Sequence, residues 1–153
     1  MNIEDNLKKN NLELPKPTAP VGSYVATKEI GKLLYISGQI SIDSSGNLIR
    51  GKLGKNISTD QGYKAAARCA LSIVSHAKKH LSDDLSKIKS CVKLTGYVNS
   101  TDSFTEQPKV INGASDTIVK IFEDAGMHTR AAISTNSLPL GVAVEVDAIF
   151  ELN

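Results

Sequence analysis

Two charged residues near the C-terminal end stand where chemistry would need them. Arg130 opens a short apolar segment, RAAIST, and Glu145 interrupts a second one, VAVEVDAIF. A planar guanidinium offers two parallel donors to a carboxylate, which lysine cannot match. One such charge-assisted bond contributes roughly 1.5–3 kcal/mol. A glutamate nearby could hold and polarise a water molecule, a general acid–base contribution of about 10²–10⁴ in rate. Spacing alone leaves a second reading open, an ion pair joining the two strands of a hairpin.

The other candidates carry less. His76 and His80 have the i, i+4 spacing that can hold a metal, but only Ala-Lys-Lys separates them and neither lies on the apolar face of its helix. They read as solvated groups beside the helix C-terminus, where the dipole favours positive charge. Cys69 and Cys91 lack CxxC spacing and have no neighbouring histidine, so they read as small buried hydrophobes in a reducing compartment. No metal site is expected. There is no nucleophile elbow, P-loop or GxGxxG motif.

The elements that must position Arg130 and Glu145 can be read from periodicity. Residues 1–20 are polar, end in Pro15, Pro17 and Pro20, and read as a peripheral arm with one amphipathic turn using Ile3, Leu7 and Leu14. SYVATKEI and KLLYISGQISI alternate about a turn at Gly31 and read as a hairpin. Ser58 and Gln61 have capping-box spacing, opening a helix to about His80 with Tyr63, Ala66, Ala67, Ala70, Val74, Ala77 and Leu81 on one face. Residues 89–98 read as a strand, with Val92, Leu94 and Val98 on one side and Cys91 and Tyr97 on the other. A second helix is predicted from about Pro108 to Ala125, stopped by Gly126. Residues 130–135 and 142–152 read as a closing hairpin. The order is β-β-α-β-α-β-β, an α+β domain with both helices on one sheet face. Because both faces of the strands carry apolar groups, the uncovered face predicts association between copies.

At 153 residues and 41% hydrophobic, the chain suits one core-forming domain. A net charge of +2 with scattered lysines argues against a nucleic-acid partner. No apolar run approaches the ~18 residues of a membrane span, and no signal-peptide pattern opens the chain. A soluble, cytoplasmic protein is expected.

Taken together, SGQI at 37–40, Asn112, Arg130 and LPLGVAVEVDAI at 138–149 resemble the YjgF/RidA family, whose members often carry the label endoribonuclease L-PSP. The family pattern has an arginine eight residues before Leu-Pro and then an alternating VEVEA-like strand. Arg130, Leu138 and VEVDA at 144–148 reproduce it. The resemblance covers about residues 20–152, which sets the arm (1–20) apart from a YjgF/RidA-like domain (21–153). It implies a chorismate-mutase-like fold, assembled as a homotrimer around a central barrel with ligand clefts between subunits. It further implies hydrolysis of reactive enamines and imines, such as 2-aminoacrylate, to 2-keto acids and ammonia, with no cofactor. By the same resemblance Arg130 would clamp the substrate carboxylate and Glu145 would position the attacking water. Tyr24, Ser37, Gly38 and Asn112 would shape the cleft. The family often has cysteine where this chain has Ala132, and arginine where it has Ser137; the backbone N–H of Ala132 would still serve a carboxylate. Two further readings of the same cleft are a non-catalytic trimeric binder of small carboxylates and, from the family label, an endoribonuclease.

Overall fold

Residues 2–153 are described by a computed structural model. Its elements are α1 (Ile3–Lys9), β1 (Thr27–Ile30), β2 (Leu33–Ile40), α2 (Thr59–His80), β3 (Ile88–Asn99), α3 (Gln107–Phe122), β4 (Thr129–Thr135) and β5 (Val144–Leu152). The expected β-β-α-β-α-β-β order is present, preceded by α1. The capping box forms as read: Gln61 N–H donates to Ser58 Oγ at 3.1 Å, and Ser58 N–H donates to Gln61 Oε1 at 2.8 Å. Together they satisfy two of the amides that a helix start leaves without partners.

The sheet runs β1-β2-β5-β3-β4, and every neighbouring pair is antiparallel except β3–β4. This corrects the closing hairpin. A helix lies between β3 and β4, and a helical crossover returns the chain to pair in parallel. The chain then passes β3 through a 3₁₀ turn at Pro139–Gly141, where Gly51 N–H donates to Gly141 O at 3.0 Å. β5 therefore lies between β2 and β3, and no strand pair joins β4 to β5.

Both long helices pack on one face of this sheet, α2 against β2 and β5 and α3 against β3 and β4. Leu34, Leu94, Val98, Val144, Val146 and Phe150 rise from the strands to meet Ile73, Val74, Ile111, Ile118 and Phe122, all fully buried. Phe122 and Phe150 stack at a tilt with ring centroids 5.6 Å apart. Where α2 crosses α3 the backbones nearly touch: a Cβ on Gly113 would lie 1.9 Å from Tyr63 O, so only glycine fits.

Other readings need adjustment. The first strand begins at Thr27, and residues 21–24 form bends instead of extending it. Register shifts on either side of Cys91 change the phase of β3, so Cys91 is buried and Val92 turns outward. α3 stops at Phe122 because Glu123 takes a left-handed φ of 54°, and a 3₁₀ turn continues to Gly126. α2 is buried nearly all round between Cys69 and Ala77, since the polypeptide before β1 packs along its outer side. Ser75 Oγ donates to Pro15 O, and Ile3 and Leu7 of α1 join the core. His76 is thus buried rather than solvated, and burial lowers its pKa, with Lys79 adding to the effect. His80 lies 3.0 Å from both Thr27 Oγ1 and Glu29 Oε2. Among the described residues no helix is long and apolar enough to cross a membrane.

Candidate active site

The register decides which way each functional side chain points. Arg130 of the edge strand β4 is paired with Leu94, and Leu94 with Ala148. Both partners are buried beneath the helices, so Arg130 rises on the helix side. There its Nη1 donates to Asn112 Oδ1 at 2.8 Å and to Ser115 Oγ at 3.1 Å, and Nη2 makes a long 3.5 Å contact to Pro108 O. Among the described residues these contacts leave Nε and part of Nη2 for a ligand. Ala132 lies two residues further along the same face and packs against the core.

Glu145 alternates with buried Val144 and Val146 and projects from the other face, paired with Tyr97. The bulge between Ile36 and Gln39 in β2 brings Gly38 against it. A Cβ on Gly38 would lie 2.3 Å from Glu145 Oε1. Ser37 Oγ donates to Val25 O at 2.7 Å and Ser37 N–H to Ala26 O at 2.9 Å, tying down the segment that carries Tyr24. The Tyr24 ring is 54% exposed.

Electrostatics sets the acids of this face apart. Partial burial raises the pKa of Glu145, and the neighbouring Asp147 raises it further. Burial likewise raises Asp147, although hydrogen bonds from Tyr97 and Thr95 and the charge of Lys93 oppose the shift. Tyr97 Oη donates to Asp147 Oδ2 at 3.3 Å. A carboxyl held above its ordinary range is better placed to exchange protons near neutral pH than a fully solvated one. Cys69, beneath the same strand, is driven far upward by burial first and Glu145 second, and Cys91 is pushed up to about 12 by burial; neither thiol is poised as a nucleophile.

The seven candidate residues therefore form two groups. Arg130, Asn112 and Ala132 belong to the β4–α3 edge, whereas Ser37, Gly38 and Glu145 gather at the bulge of β2 on the opposite face, and exposed Tyr24 lies in the segment that Ser37 ties down through Val25 and Ala26. The ion pair across a hairpin does not form: β3 lies between the two strands, and Arg130 is bonded to α3 instead. Two residues missed in the sequence complete the first group. Ser115 stands one helical turn after Asn112, on the same face of α3. His128, two residues before Arg130, lies 2.9 Å from Ser115 Oγ through Nε2. The i, i+3 spacing of Asn112 and Ser115 was the available signal.

A mixed five-stranded sheet with both long helices on one face, an arginine on that face and a glutamate on the other, is a small α+β architecture of the chorismate-mutase-like type. Residues 4–152 match the family described as "YjgF/chorismate_mutase-like, putative endoribonuclease", and the chain belongs to this YjgF/RidA family. It is 44% identical over 152 residues to protein TCP17 of Trypanosoma cruzi, covering 99% of this chain and 94% of that protein. The crystal structure of a "putative endoribonuclease" from Shewanella oneidensis MR-1 superposes with a TM-score of 0.94 at 32% identity, covering 99% of this chain and all of the other. The mouse 2-iminobutanoate/2-iminopropanoate deaminase is 28% identical over 135 residues, covering 88% of this chain and 84% of its own.

Proposed function

We propose that this protein is a RidA-like deaminase that hydrolyses reactive 2-imino acids, the tautomers of 2-aminoacrylate-type enamines, to 2-keto acids and ammonia. The carrying observation is the division just described: a carboxylate-binding group and a proton-handling group, each preassembled, on opposite faces of one sheet. Neither is a site alone. A closed ring of copies, here a homotrimer, would set the β4–α3 edge of one subunit against the Glu145 face of the next. The uncovered face is suited to such packing. Tyr35 and Ile133 stand 41% and 47% exposed on it, in rows with Ile149 and Tyr97.

In the shared cleft Arg130 takes the substrate carboxylate on its remaining N–H groups, with Asn112 and Ser115 fixing the guanidinium plane. This directs the imine carbon toward Glu145 of the adjacent subunit. Glu145 accepts a proton from water as the water oxygen bonds to that carbon, and returns that proton to the imine nitrogen. The hydroxyl proton of the resulting carbinolamine passes by way of Glu145 to the nitrogen as the C–N bond breaks, giving the keto acid and ammonia. Gly38, lacking a Cβ, leaves room for the Glu145 carboxylate itself. The imine carbon is already electrophilic, so positioning and proton transfer are all the protein need supply. A ribonuclease reading draws no support from the histidines: His76 is buried within α2, His80 at its end contacts Thr27 and Glu29, and His128 contacts Ser115 and Gly126.

The test is a pyridoxal-phosphate dehydratase fed serine or threonine, with and without this protein. Keto-acid release should accelerate, and Arg130→Ala and Glu145→Gln should each abolish the acceleration. No acceleration, or equal acceleration by Arg130→Ala, removes the deaminase reading. Carboxylate binding lost in Arg130→Ala, without any turnover, would instead favour a non-catalytic carboxylate binder.

A further inference from the structure

Behind Arg130 the hydrogen bonds continue in one direction. Arg130 Nη1 donates to Ser115 Oγ at 3.1 Å, Ser115 Oγ lies 2.9 Å from His128 Nε2, and His128 Nδ1 lies 2.6 Å from Gly126 O. A backbone carbonyl only accepts, so Nδ1 must carry the proton. In the neutral ring Nε2 is then a lone pair, and the Ser115 hydroxyl donates to it. That leaves the Ser115 oxygen to accept from Arg130, and the polarity of every bond in the chain follows.

Protonation of His128 reverses one link. Nε2–H then donates to Ser115 Oγ, which already accepts from Arg130, and the Ser115 O–H turns away from the ring. The reversed link lies on a cavity of about 540 Å³ that Ser115, Val119, Met127, His128 and Arg130 help to line. Its other charged groups are Asp116 and Lys120 of α3. Asp116 Oδ2 already accepts from Tyr63 Oη at 2.7 Å. An imidazolium would thus put a second cation and a released hydroxyl donor beside the guanidinium.

We propose that Ser115 and His128 are positioning residues that make the Arg130 site bind small 2-oxo and 2-imino carboxylates more tightly when His128 is protonated. This rests on Arg130 being the carboxylate clamp of the proposed function. By linkage, carboxylate binding at Arg130 and protonation of His128 favour one another by the same factor.

The probe is 2-oxobutanoate, which stays ionised throughout, titrated calorimetrically into the assembled protein at pH 8 and pH 5.5. Glu145, whose pKa is raised by burial and by Asp147, adds a pH dependence of its own, so His128→Gln, which retains Glu145, provides the reference. The wild-type Kd should fall about three- to tenfold more than that of His128→Gln, a coupling of the usual order between linked sites. Ser115→Ala should weaken binding at both pH values, because the guanidinium loses one anchor. ¹⁵N NMR of His128 should show the Nδ1–H tautomer at high pH and a titration displaced upward by the ligand, which a purely structural histidine would not give. Equal pH dependence in wild type and His128→Gln, or no binding of 2-oxobutanoate, overturns the proposal. Binding with this pH signature but no imine hydrolysis would sink the deaminase reading alone.

Discussion

Gly38 and Glu145 interlock: the space a Cβ would occupy on Gly38 is taken by the Glu145 carboxylate, whose Oε1 would stand 2.3 Å from it. Gly38→Ala should therefore push the carboxylate aside. The displaced atoms are the free end of a side chain, so the fold should lose less than about 1 kcal/mol, at the low end of overpacking costs. Misplacement of a catalytic group by about 1 Å can cost ~10² in rate, and a loss of that order is expected. Imine hydrolysis measured beside a thermal melt separates the two effects; a large fall in Tm with kcat unchanged would contradict this geometry.

Glu145 also gives a pH signature in stability. Its pKa is raised in the folded protein, so folding favours the protonated form. That contribution is complete below the unfolded value of about 4.3 and is lost as pH rises through the raised folded value. Glu145→Gln mimics the protonated form. It should be more stable than wild type at pH 8, and the gap should close toward pH 4. Denaturant unfolding at intervals across this range reads the difference; a variant less stable at pH 8 would mean that the ionised carboxylate has a favourable partner.

Two inactive variants should rescue one another. If each site takes Arg130 from one subunit and Glu145 from the next, Arg130→Ala and Glu145→Gln chains refolded together in equal amounts form some sites with both residues intact. Random mixing in a ring with head-to-tail interfaces restores roughly one quarter of the wild-type sites. Sites contained within single subunits would give no recovery.

Ile133 tests the association itself. It stands on the uncovered face, paired with Tyr97, which is in turn paired with Glu145. Ile133→Glu would add a further acid to a face that already holds Glu145, Asp147 and Glu151. Sedimentation should show the wild type as a trimer and the variant shifted to monomer, with activity lost in parallel. A monodisperse wild-type monomer would remove the shared-cleft arrangement.

How much of this was legible in the residues depends on distance along the chain. The capping box, the two long helices and the β-hairpin at Gly31 arise from neighbours a few positions apart, and periodicity reports them. Pairing of β5 with β2 and β3 joins positions far apart, and the spacing of 130–135 and 144–152 looks the same for a hairpin as for strands separated by β3. The bulge at Cys91 was invisible for a related reason, since one extra residue inverts the faces without altering composition. Arg130 and Glu145 stood out because a charge in an apolar strand is costly without a reason. Ser115 and His128 did not, because serine and histidine sit unremarked on amphipathic surfaces.

The sheet order has a consequence for how the protein is made. Of the strands of this sheet β5 is the last to leave the ribosome, yet it occupies the middle, with β1 and β2 on one side and β3 and β4 on the other. Until it emerges, the N-terminal hairpin and the β3–α3–β4 unit share no strand pairing, and the facing edges of β2 and β3 remain open. Such edges are templates for pairing with other chains. Completion of the sheet, closure of both edges and placement of Glu145 are therefore one event, and it occurs at the end of synthesis of this fold.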